Sequence, residues 1–218
     1  MQDIIILGTG GNCLDLLDLL EDSNRAGRDV QYRCAGFLDD NPAMHGQEFG
    51  GCKVLGPLAS ARDYAGVMFL NGIGSPSNFW RKPEILATTG LAPERFATLA
   101  HPSATVSRHA HLGWGVSLFP GVCVGSNAWI GNHVIALPGA ILSHDAEVGE
   151  YTCIAGGASI SGAARVGTAC YLGTNCSIGI GVTLGNDVLV GMGAVVLRDV
   201  PENTVVVGNP ARILRKTR

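Results

Sequence analysis

The sequence predicts two units in series, an α/β domain over residues 1–100 followed by a left-handed parallel β-helix over residues 101–218. Three observations carry this reading. An apolar period of six runs through the second half, glycine reaches 31 of 218 residues, and the first half opens on a strand, a glycine turn and an amphipathic stretch.

From Val106 to Pro201 the chain divides into sixteen hexads without insertion or deletion. Fifteen of the sixteen first residues are Val, Leu or Ile, and Ala136 is the exception. Every fifth residue is Ala, Val, Thr or Cys. Nine second places hold glycine, among them Gly113, Gly125, Gly131 and Gly191. A two-residue strand and a sharp corner, repeated three times, closes a triangular coil of 18 residues. The large aliphatic points inward and the small fifth residue fits where three faces crowd together. Glycine is expected at the corners for its backbone freedom. Coils stack at the strand spacing of about 4.8 Å. A β-sandwich needs turn signals every ~8–12 residues and does not hold a strict six.

In the first half, residues 3–7 form an apolar strand that runs into Gly8-Thr9-Gly10-Gly11. The amphipathic stretch Leu14-Leu16-Leu17-Leu19-Leu20 follows, so a first βα unit of a Rossmann-like sheet is expected. The free N–H groups at such a helix start suit phosphate. A second strand, Tyr32 to Leu38, ends in Asp39-Asp40-Asn41, and a third, Val67 to Leu70, ends in Asn71-Gly72-Ile73-Gly74-Ser75. All three clusters fall at strand C-termini, where open α/β sheets take ligands. The GxGG turn alone is a weak signal, since it lacks the last glycine of the full fingerprint. A nicotinamide dehydrogenase is disfavoured because residues 1–100 leave room for only half of the usual dinucleotide fold, and no catalytic domain but the β-helix follows.

Composition narrows the partners. A net charge of -3 speaks against nucleic acid. No apolar run approaches the length of a membrane span, and the start of the chain shows no signal peptide. Seven cysteines without CxxC spacing read as reduced thiols in a cytoplasmic protein, with neither a disulfide framework nor a metal site.

Both halves together resemble the hexapeptide-repeat acyltransferases, and within them the sialic acid O-acetyltransferase family with the bacterial nucleotide-amino-sugar N-acetyltransferases. The resemblance rests on the GxGG turn, GFLDDN (Gly36 to Asn41), HPSA (His101 to Ala104), SHD (Ser143 to Asp145), the hexads and the terminal GNPA, Gly208 to Ala211. It implies a homotrimer that binds acetyl-CoA in the groove between neighbouring β-helices and acetylates a nucleotide-linked amino sugar. The alternative acceptor is the hydroxyl of sialic acid or another sugar. By the same resemblance Gly10, Gly11 and Asn12 face the diphosphate and sugar, and Asp39 and Asp40 the nucleoside. Gly8, Gly74 and Ser75, at the same strand ends, are the further substrate-site candidates. Asn12 stands where the family has histidine.

Acyl transfer needs a base for the acceptor proton and a donor for the developing oxyanion. His45 falls in a loop, His101 in the linker, and His109 and His111 in the first coil. His133, fourth in its hexad, reads as a solvated corner. His144 is followed by Asp145 and lies mid-helix, and the resemblance makes this pair the base and its orienting carboxylate. One coil on, the His144 column holds Gly162, then Ile180 and Arg198. Gly162 is the expected amide donor. Arg198, three coils or roughly 14 Å away, is the expected CoA-phosphate contact, with Asn209 and Pro210 beside it. A γ-class carbonic anhydrase needs two histidines five apart, and no pair here has that spacing. A non-catalytic scaffold is the other reading, and the intact His144-Asp145 pair argues against it.

Overall fold

The computed structural model describes residues 1–27 and 30–218. The chain opens with β1 (Gln2–Leu7), in which Ile4, Ile5, Ile6 and Leu7 are fully buried, so this strand has a sheet neighbour on each edge and apolar cover on both faces. Gly8 turns the chain with φ +98°, and α1 (Gly11–Arg25) follows, burying Leu16, Leu19 and Leu20 along one stripe. Next come β2 (Tyr32–Leu38), the hairpin of β3 (Glu48–Phe49) with β4 (Cys52–Gly56), and β5 (Met68–Asn71). The sheet order is β3-β4-β2-β1-β5, with all pairs parallel except β3 with β4. A short α2 (Lys82–Ala87) leads towards the second half. No helix among the described residues is long and apolar enough to cross a membrane.

From Leu99 the chain winds as two-residue parallel strands on three faces, an arrangement that fits the left-handed β-helix. Face I runs from Thr105–Val106 to Val195–Val196, and face II from His111–Leu112 to Thr183–Leu184. Face III runs from Leu99–Ala100 to Leu189–Val190, then adds Thr204–Val207 and an antiparallel last strand, Arg212–Lys216. First-place residues such as Leu142, Ile160 and Ile178 are fully buried, each stabilising the fold by roughly 1.5–3 kcal/mol. The small fifth-place residues Ala146, Ala158 and Ala164 are equally buried beside them.

Three expectations need correction. The second-place glycines are not the left-handed residues. From Gly115 to Gly193 that conformation belongs to every fourth place, where Asn127, Asp145, Asn175 and Asp187 tolerate it. Second-place glycine answers to stacking instead, since a β-carbon on Gly125 would lie 2.6 Å from the His144 backbone nitrogen. The strict six also ends early. Leu172 pairs with Val190 eighteen residues on, but Leu184 bridges Val200 and Val190 pairs with Val206, both sixteen residues on. The Asp199 carboxylate meets the shortened corner by accepting from the Thr183 N–H at 2.8 Å.

His133 is the third correction, for it is buried and not a solvated corner. Its ring stacks on Tyr151 at 5.0 Å and meets Phe96 edge-on at 4.4 Å. Burial, and then the nearby Lys82 charge, push its pKa down from 6.5 to about 4. Between those values the unfolded chain binds a proton that the folded chain refuses, so stability falls as pH drops through that window. The loss is at most roughly 3 kcal/mol. Urea unfolding at pH 7 and pH 4.5 checks this: His133→Phe is expected to reduce the acid destabilisation, and an unchanged pH slope contradicts it.

Candidate active site

Residues 143–146 form one corner on the edge between faces I and II. The left-handed φ of 58° at Asp145 turns its carboxylate back onto the preceding side chain. Asp145 Oδ2 lies 2.8 Å from His144 Nδ1, and Oδ1 accepts from Asn127 Nδ2 at 3.2 Å. The bonds from His144 and then Asn127 hold the Asp145 carboxyl below the usual carboxylate range. A carboxylate on Nδ1 fixes that nitrogen as the protonated one and leaves Nε2 as the acceptor. Nε2 has no protein partner among the described residues, and the side chain is 70% exposed.

Gly162 sits directly over this ring. A β-carbon there would lie 2.6 Å from His144 Cε1 and 2.7 Å from Nε2. Its carbonyl accepts from Gly181, while its N–H donates no backbone bond among the described residues. Above it Ile180 is 82% exposed, and Arg198 is exposed at the next level. Arg198 and Pro210 line one depression of about 340 Å³ together with Asp199, Arg212 and Ile213. Asn209 is exposed just outside it. The edge thus offers an exposed imidazole nitrogen, a glycine amide and a cation in one line.

The other expected residues meet elsewhere. Gly8, Gly10, Gly11, Asn12, Asp39, Asp40, Gly74 and Ser75 all line one cavity of about 610 Å³ between the sheet and face III. Nothing approaches within 4 Å of a β-carbon built on Gly10 or Gly11, so the space above the start of α1 is open to a ligand. Asn12 Nδ2 reaches the Gly74 carbonyl at 3.4 Å and ties the first glycine turn to the third. Asp39 accepts from Thr9 Oγ1 at 2.7 Å and from the Asn41 N–H at 2.8 Å. Asp40 accepts from the Leu58 N–H at 2.9 Å, and its second oxygen has no protein partner among the described residues.

Sequence reasoning missed the opposite wall of this cavity, formed by Ile135, Leu137, Cys153, Ala155 and Tyr171 of face III. Their side of the β-helix is set by the coil count, but which face the sheet docks on is not written in any local pattern. It also missed Asn78 and Arg81, the latter the one cation lining the cavity among the described residues.

Cavity and histidine do not meet within one chain. The cavity lies on face III, and His144 lies on the edge between the other two faces, across the triangular section.

No family model and no curated relative matches the chain. Solved structures do. The acetyltransferase domain of PglB from Neisseria gonorrhoeae FA1090 shares 26% identity at a TM-score of 0.81, over 98% of this chain and 100% of that one, and is also known with acetyl coenzyme A. PerB from Caulobacter crescentus, in complex with CoA and GDP-perosamine, shares 28% at 0.82 over 99% and 98%. WeeI from Acinetobacter baumannii AYE shares 26% at 0.81 over 98% and 100%. With the hexads, the corner dyad and the glycine-lined cavity, this likeness spans essentially the whole chain. The chain is thus similar, along its whole length, to nucleotide-amino-sugar N-acetyltransferases of the hexapeptide family.

Proposed function

We propose that this enzyme transfers the acetyl group of acetyl-CoA to the amine of a nucleotide-linked amino sugar, in the synthesis of a bacterial surface polysaccharide or other glycan. The observation that carries this is the pairing of a free Nε2 on a carboxylate-oriented histidine with an unpaired glycine amide directly above it. His144 Nε2 accepts the proton that the attacking amine loses, and Asp145 stabilises the imidazolium that results. The Gly162 N–H donates to the thioester oxygen as its negative charge grows. Arg198, with Asn209 and Pro210 nearby, takes the phosphate end of CoA.

Residues 1–100 act as a Rossmann-like holder for the nucleotide. Diphosphate lies over Gly10, Gly11 and Asn12, with Arg81 as its counter-ion, and Asp39 and Asp40 face the nucleoside. Because cavity and base lie on opposite sides of one chain, the working unit is a homotrimer in which His144 of one subunit serves the cavity of the next. Both substrates are intracellular metabolites, so we assign the reaction to the cytoplasm.

Complementation tests the arrangement. Gly11→Asp, which puts a side chain and a negative charge over the phosphate site, and His144→Asn are each expected to be inactive alone. Co-expressed and purified through two tags as mixed oligomers, they regain activity. Mixed oligomers as inactive as their parents, or a fully active monomer in sedimentation, contradict the shared site.

A further inference from the structure

We propose that Cys153 and Lys82 form an oxidisable pair, a modification site at which peroxide couples the thiol to the amine and covalently joins α2 to face III. Lys82 Nζ lies 3.6 Å from Cys153 Sγ and donates to the His133 carbonyl at 2.6 Å. Lys82 has no exposed surface, and among the described residues no carboxylate pairs with it. The acyl-transfer chemistry makes no use of it, although a buried amine without a counter-ion is costly to keep. Burial lowers its pKa, which enlarges the fraction of nucleophilic free amine.

Cys153 is buried yet lines the cavity between sheet and β-helix, so a small oxidant that enters the cavity reaches its sulfur while Lys82 stays behind the wall. Gly74 packs against that sulfur with no room for a β-carbon, which fixes the thiol beside the amine. Among the described residues, the other buried cysteines, Cys13, Cys170 and Cys176, have no lysine bonded to them and do not line the cavity.

The chemistry balances with hydrogen peroxide as the oxidant. Sulfur is first oxidised by two electrons to the sulfenic acid, and peroxide is reduced to water. The Lys82 nitrogen then attacks that sulfur, an S–N bond forms, and hydroxide leaves with the amine proton as a second water. The product is a sulfenamide, which a thiol reductant cleaves back to Cys153 and Lys82. It closes a link between residues 71 apart in sequence, across one wall of the substrate cavity.

Mass spectrometry of the whole enzyme decides this without relying on a variant that has to fold. After treatment with peroxide and alkylation of remaining thiols, digestion is expected to yield a peptide pair joining Cys153 to Lys82, lighter than the sum of its parts by two hydrogens and separated by dithiothreitol. Lys82→Met is expected to leave Cys153 as trappable sulfenic acid or its higher oxides. The proposal is overturned if, at a peroxide dose that oxidises the exposed Cys123, Cys153 stays alkylatable or is oxidised to sulfinic acid with Lys82 unlinked.

Discussion

His144→Asn is expected to lower kcat by about two to four powers of ten, the range for a lost general base, with little change in the KM for acetyl-CoA. Nε2 is the one ring nitrogen free to take a proton, because Nδ1 is held at 2.8 Å by Asp145. The asparagine amide fills similar space and bonds similarly, but it does not accept the proton of an attacking nucleophile. Since the exposed imidazole supports no packing, the variant should fold and melt as the parent does. Steady-state kinetics separates the outcomes. A small loss in kcat means that the amine enters already neutral and that His144 only positions it, which contradicts the base assignment.

Gly162→Ala is the second large effect, and it acts on the same ring from above. The added carbon would lie 2.6 Å from Cε1 and 2.7 Å from Nε2, closer than real contacts allow. What must yield is the end of an exposed side chain, so the ring swings off its corner at little cost in stability. Displacing a catalytic group by about an ångström costs on the order of 100-fold in rate. We expect that loss in kcat with an unchanged melting temperature. Gly125→Ala provides the contrast, because its β-carbon would strike backbone, the His144 nitrogen at 2.6 Å and the Ser143 carbonyl carbon at 2.8 Å. Overpacking against backbone costs typically ~1–3 kcal/mol, so that variant should lose stability first. Equal kinetics for Gly162→Ala and the parent would show that the ring is not held under this glycine.

The β-helix was legible because its packing is periodic: each coil meets the same geometry, so one apolar and one small residue recur at fixed places. The same periodicity put Gly162 above His144 by counting alone. The role of second-place glycine was not legible, since a glycine that avoids a clash and one that adopts a left-handed turn look alike in sequence. The change from eighteen to sixteen residues per coil near Val200 also escaped, because Val196, Val200 and Val206 are apolar in either frame. His133 was misread for a related reason. Its corner position is local, but Tyr151, Phe96 and Lys82, which bury it, come from the next coil and from the other half of the chain. The eight cavity residues read from strand ends do gather in one place, whereas the wall that face III supplies depends on docking between halves.

The most direct measurement is product analysis with acetyl-CoA and a panel of nucleotide-linked amino sugars, each paired with its hydroxyl counterpart. We expect one acetyl group added to the amino sugar alone, as an amide that survives hydroxylamine, with the rate lowered by about two to four powers of ten in His144→Asn. Transfer to the hydroxyl counterpart, as an ester that hydroxylamine removes, would contradict it.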